Sequence, residues 1–188
     1  MPKQKNNLIM AGTSGMLGKQ VVFKERNGET YLSAPPTVNE NRKATPTQLE
    51  NQQKFTSAVD YAKTAIKDEN IKAAYQSMAK RNQSAFNVAF NDAYNAPKVL
   101  GIIAQGYQGQ AGNIIIVQAK DDFKVKSVKV SIRNAANQLI EEGEAIANAD
   151  GLNWTYTVTQ ANGNIADAKI TATATDLPGN EGSLELTL

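Results

Sequence analysis

Two hydrophobic periods divide this chain. Between Leu49 and Tyr94 apolar residues recur at steps of three and four, the spacing that lines up one face of a helix, and beyond Pro97 the step falls to two. The run Val125-Lys126-Ser127-Val128-Lys129-Val130-Ser131-Ile132 shows the second pattern, and Ile114–Ala119, Trp154–Val158 and Ile170–Thr175 repeat it. A step of two sends successive side chains to opposite faces, so each run predicts a half-buried strand. Turn signals such as Lys120-Asp121-Asp122, Asp150-Gly151 and Pro178-Gly179-Asn180 separate the runs. The resulting count is seven strands, near residues 99–105, 113–119, 125–133, 138–145, 152–159, 168–175 and 182–188. Seven short strands over about 90 residues predict an antiparallel sandwich of immunoglobulin type. Trp154, the one tryptophan, is expected in its core.

The helical stretch carries its own punctuation. Thr45-Pro46-Thr47-Gln48 supplies an N-cap, a proline at the first helical position and a capping-box glutamine. The first helix is expected to bury Leu49, Phe55, Val59, Ala62 and Ile66, with Ala58 and Ala65 beside them. Asp68 caps a second helix through Ile71, Ala74, Tyr75 and Met78, and Ser84 a third through Phe86, Val88, Ala89, Phe90 and Tyr94. Asn95-Ala96-Pro97 closes the pattern, because the residue before proline disfavours the helical region. Ahead of the helices, residues 20–34 place Asn27-Gly28 between two β-prone arms, the strongest short hairpin signal. Ala34-Pro35-Pro36 then stops the sheet.

The expected architecture is therefore an α+β two-domain chain. Residues 1–96 form an N-terminal arm, a β-hairpin and a three-helix module; residues 97–188 form an all-β seven-strand Ig-like sandwich.

Composition narrows the chemistry. The 188 residues are 41% apolar and 20% charged, ordinary for a globular chain. There is no Cys and no His, so disulfides, thiolate nucleophiles, imidazole bases and zinc-thiolate sites are all excluded. The longest apolar run near the start, Leu8–Ala11, is shorter than a secretory core, and nothing approaches a membrane span. Synthesis in the cytoplasm, with incorporation into a particle as one destination, is the corresponding expectation. Residues 1–95 hold 13 Lys and Arg against 8 Asp and Glu, whereas residues 96–188 hold 7 against 10. That opposition admits an anionic partner for the first half, or subunits meeting head to tail.

The segments VQAKDDFKVKSVKVSI (117–132), NWTYTV (153–158) and ITATATDLPGN (170–180) resemble bacterial immunoglobulin-like and fibronectin-type-III-like modules. The resemblance implies a sandwich fold and roles as a spacer in surface adhesins or a decoration on phage particles and other assemblies. The chain departs from the adhesin pattern in having a single such module. The segments GMLGKQVVFKERNGETYLSAPP and TPTQLENQQKF are similar in style to short proteins of unknown function associated with Bacteroidetes genomes and their mobile elements. No functional residue carries over from them.

Candidate chemistry is sparse. Gly12–Lys19 has phosphate-loop flavour, but Thr13 stands where the first loop glycine belongs and Gln20 where Ser or Thr belongs. Asp121, Asp122 and Asp176 could gather at one end of the sandwich as calcium ligands, although turn carboxylates satisfying local amides are the plainer reading. Glu141, Glu142 and Glu144 read as a solvated strand face. Lys19, Lys24, Arg26, Arg42 and Lys43 form a candidate basic surface, interleaved with Phe23 and Tyr31 and interrupted by Glu25 and Glu29.

The preferred expectation is a non-enzymatic structural or assembly protein, a subunit or decoration of a phage-like particle or filament. It has no catalytic residues, no cofactor and no metal site. Its partner is protein, itself or other subunits, through Val21, Val22, Phe23, Tyr31 and Leu32. The alternatives are a carbohydrate- or protein-binding adhesin-like module, and a nucleic-acid binder through the basic half.

Overall fold

A computed structural model describes residues 3–4, 8, 10, 12–26, 29–37 and 43–188. The chain divides into two compact units, Met1–Thr45 and Pro46–Leu188. The helical pattern does end at Pro97, as its sequence context requires, yet the helices share a unit with the strands that follow rather than with the hairpin.

The first unit is a four-strand antiparallel sheet: β1 (Lys3–Gln4), β2 (Gly15–Leu17), β3 (Val21–Arg26) and β4 (Glu29–Ser33), in the order β1-β4-β3-β2. Arg26 faces Glu29 across β3 and β4, the register of a two-residue connection. The expected Asn27-Gly28 turn itself lies outside the described residues.

The second unit opens with α1 (Pro46–Ala65), α2 (Glu69–Ser77) and α3 (Ala85–Tyr94). Asp68 caps α2 by accepting from the amides of Asn70 and Ile71, and Ser84 caps α3 through the amide of Asn87. The buried stripe of α1 is Ala58, Ala62 and Ala65, whereas Leu49 and Phe55, expected inside, are about half exposed. Small side chains let helices approach closely, and the cluster around Ala62 and Ala65 is completed by Tyr75, Ala85, Val88 and Ala89. Phe55 still sets its edge against Phe90, with ring centroids 5.1 Å apart.

Seven strands follow: β5 (Lys98–Ile103), β6 (Ile114–Lys120), β7 (Val125–Arg133), β8 (Leu139–Ala147), β9 (Asn153–Thr157), β10 (Lys169–Asp176) and β11 (Glu181–Thr187). All pair antiparallel, in the order β11-β10-β7-β8-β9-β6-β5. β8 serves both layers: Leu139–Ala145 pairs with β7, and Ile146–Ala147 turns to pair with β9. One layer is thus β11-β10-β7-β8 and the other β8-β9-β6-β5. Strand β10 buries every second residue, Ile170, Ala172, Ala174 and Asp176, against Val128, Val130 and Ile132 of β7 and Ile115, Val117 and Ala119 of β6. Each fully buried Ile or Val in this core contributes roughly 1.5–3 kcal/mol. Trp154 is buried in the same core.

Candidate functional site

The helices and the sandwich meet through polar groups. Asp92 stands on α3 seven residues after Ala85 and three after Ala89, so helical geometry places it on the buried face with Val88. Its side chain is wholly buried. Tyr75 of α2, also wholly buried, donates its hydroxyl to Asp92 Oδ2 at 2.5 Å, and its oxygen lies 2.9 Å from the hydroxyl of Tyr61 on α1. The Tyr75 ring packs on Phe123, which the turn between β6 and β7 delivers into the helical cluster, with centroids 4.3 Å apart.

Two carboxylates of the sandwich join this chain. Asp121, in the same turn as Phe123, holds that turn by accepting from the amides of Phe123 and Lys124 on Oδ2. Asp176, wholly buried at the end of β10, accepts from the amides of Gly179 and Asn180 on Oδ1 and from the Asn180 side chain on Oδ2. The Asn180 amide also donates to the carbonyls of Asp92 and Ala93, tying the last turn of α3 to the β10–β11 connection. One carboxylate oxygen from each of Asp92, Asp121 and Asp176 lies within 4.8 Å of the other two. Burial raises the Asp92 pKa to about 8; the Tyr75 hydrogen bond opposes that rise, and Asp121 and Asp176 add to it. Burial likewise raises the Tyr75 and Tyr61 hydroxyls.

Of the three aspartates weighed as a calcium set, Asp121 and Asp176 lie together and Asp122 does not, while Asp121 and Asp176 also satisfy local amides, the plainer reading. Asp122 turns the other way and accepts from the Asn95 side chain at 2.7 Å. Asp92 takes the third place. Glu141 also departs from expectation: it is buried, in phase with Ala145 along β8. Its Oε2 accepts from the amides of Thr159 and Gln160 and from the Thr159 hydroxyl. Glu142 and Glu144 stay exposed, Glu142 paired with Lys129. Glu141 and burial push the neighbouring Tyr156 up to about 12, burial being the larger cause.

In the first unit, strand geometry sorts the candidate interface residues onto two faces. Val21 and Phe23 share one face with their cross-strand partners Leu17 and Leu32; Val22 and Tyr31 lie on the other, with Met16, Lys24 and Ser33. All five are half-buried, and Tyr31 donates to Glu29 Oε2 at 2.7 Å. Met16 and Leu17 on edge strand β2 are 55% and 67% exposed. Thr30 is the one buried residue among those described in this unit. Lys19 has φ +56°, in a turn, and Lys24 and Lys43 are exposed. Arg42 lies outside the described residues, and Arg26 ends β3. The four aromatics of the sandwich offer no exposed platform: Tyr107, Trp154 and Tyr156 are buried, and Phe123 is half-buried.

No family model matches the chain, and no curated sequence does, so neither supports the N-terminal likeness to Bacteroidetes proteins. Solved structures do match in part. CopC from Methylosinus trichosporium OB3b is 16% identical over 48% of this chain and 91% of its own, with a TM-score of 0.36. An engineered protein is 23% identical over 41% of this chain and 15% of its own, with a TM-score of 0.30. The β-sandwich is assigned here on its own strands and core. Among the described residues no helix is long and apolar enough to cross a membrane.

Proposed function

We propose that this chain is a non-enzymatic assembly protein whose N-terminal sheet binds a second copy of the same chain, as in the subunits of a phage-like particle or filament. The observation that carries the reading is the sheet of Met1–Thr45. It sets Leu17, Val21, Phe23 and Leu32 on one face, while Thr30 alone among its described residues is buried. A small sheet without a buried core needs a partner for its apolar face to be stable. Charge supports a copy as that partner. Met1–Thr45 contains seven Lys and Arg against three Asp and Glu, net +4, and Pro46–Leu188 contains 13 against 15, net −2. Head-to-tail contact brings opposite signs together and leaves a free end on each copy, the geometry of filaments and closed rings.

Light scattering of the full chain over a concentration series tests the reading. Mass should rise with concentration, and the midpoint should move to higher concentration as salt is added. A monomer of constant mass at every concentration and ionic strength refutes it.

A further inference from the structure

We infer that Asp92, Asp121 and Asp176 form a calcium site that fastens α3 to the sandwich. Each carboxylate has a protein partner for part of its hydrogen-bonding capacity, and one oxygen from each lies close to the other two. Asp92 Oδ1 and Asp121 Oδ1 are buried atoms that receive no amide, hydroxyl or ammonium hydrogen, the two side chains lie within hydrogen-bonding reach of each other, and Asp92 as a whole is fully buried. Among the described residues no Lys or Arg pairs with any of the three; the ion pairs are Lys72–Glu69, Lys129–Glu142 and Lys169–Glu185. Buried carboxylates are ordinarily paired with a cation, protonated or bound to a metal, because an isolated buried charge is costly. Here the orphaned oxygens face a cluster of their own sign.

The donor set selects the ion. Every ligand is oxygen, and the sequence has no Cys or His, so a hard cation is required. Ligand oxygens within 4.8 Å of one another fit around an ion at about 2.4 Å, the calcium distance. Asp121 also lines an open groove of about 680 Å³ with Asp122, Lys54, Lys98 and Lys120. The elements joined are far apart in sequence: α3, the β6–β7 turn and the end of β10. A bound ion therefore stabilises the packing of the helical layer on the sandwich.

The competing account is a proton shared among the carboxylates, and the experiment separates the two. Full-length protein, freed of metal by chelation, is titrated with calcium chloride by calorimetry at pH 7.5, and with terbium while tyrosine is excited. Tyr75, hydrogen-bonded to Asp92, is placed to sensitise terbium emission. We expect one saturable site per chain, terbium emission displaced by calcium, and a Tm higher by about 5–10 °C at a hundredfold excess over Kd. Asp121→Asn, which keeps an acceptor for the turn amides, should lose binding at least tenfold; Asp122→Asn should not. Absence of saturable binding at millimolar calcium in the wild-type protein overturns the site in favour of the proton. Binding unchanged in Asp121→Asn overturns the assignment of its ligands. If Asp121→Asn does not fold, failure of calcium to displace terbium from the wild type overturns the proposal by itself.

Discussion

Tyr75→Phe removes one oxygen from the centre of the helix–sandwich junction and leaves everything else in place. The ring keeps its packing on Phe123, so no cavity forms and the loss is confined to hydrogen bonding. Asp92 Oδ2, whose donor at 2.5 Å disappears, sits on a wholly buried residue that water does not reach. Leaving a buried acceptor unsatisfied costs about 1–3 kcal/mol, which in a unit of this size lowers Tm by roughly 2–12 °C. Tyr61 also loses its partner, but it is only partly buried, so Tyr61→Phe should cost under about 1 kcal/mol. Urea unfolding followed by circular dichroism, with the double variant closing the cycle, gives all three values. If Tyr75→Phe unfolds within about 0.5 kcal/mol of wild type, or if Tyr61→Phe is the costlier change, then the junction is not held through Tyr75 and Asp92.

Other consequences are simpler to state. A Cβ on Gly182 would lie 1.8 Å from the Pro97 carbonyl oxygen, where β11 meets the start of β5, and that backbone cannot swing aside; Gly182→Ala should cost about 1–3 kcal/mol in chemical denaturation, while Gly163→Ala, with nothing within 4 Å, should stay near neutral. With divalent ions chelated, the folded state holds a proton on Asp92 up to about pH 8 that the unfolded chain sheds near pH 4. The stabilisation from Asp92 should then be full below that lower value, be lost as pH rises towards 8 and level off above it, and Asp92→Asn should remove that part of the slope; an unchanged slope assigns it to another group. Asn180→Ala breaks the ties to the Asp92 and Ala93 carbonyls and to Asp176, so amide exchange should speed at the end of α3 while the centres of β7 and β10 hold; uniform exchange across both refutes a local staple.

The strands were legible because β-branched residues at a step of two leave little choice, and β7 and β10 fall within a residue of their expected bounds. Helix starts were legible for a local reason, since Asp68 and Ser84 must satisfy amides that lie two or three residues ahead. What was hidden is tertiary. The interior face of α1 includes Ala58, Ala62 and Ala65, as their spacing predicts, but a close neighbour admits only small side chains there, so Leu49 and Phe55, expected with them, stay about half exposed. Asp92 and Glu141 are ionisable residues at positions in phase with buried neighbours, at helical spacing from Ala85 and Ala89 in one case and two strand steps from Ala145 in the other. That phase was the available signal, and polarity masked it. Asp121 and Asp122 are adjacent and indistinguishable by composition; only the packing of Phe123 decides which one turns inward.

In the function proposed above, one face of the N-terminal sheet binds another copy of the chain. Sedimentation velocity on the full chain, with Leu17→Glu and Phe23→Glu on that face and Lys24→Glu on the opposite one, tests it most directly. Wild type and Lys24→Glu should associate as concentration rises, both substitutions on the apolar face should sediment as monomers, and circular dichroism should stay unchanged in all. Monomeric wild type, or association that survives Leu17→Glu and Phe23→Glu together, contradicts it.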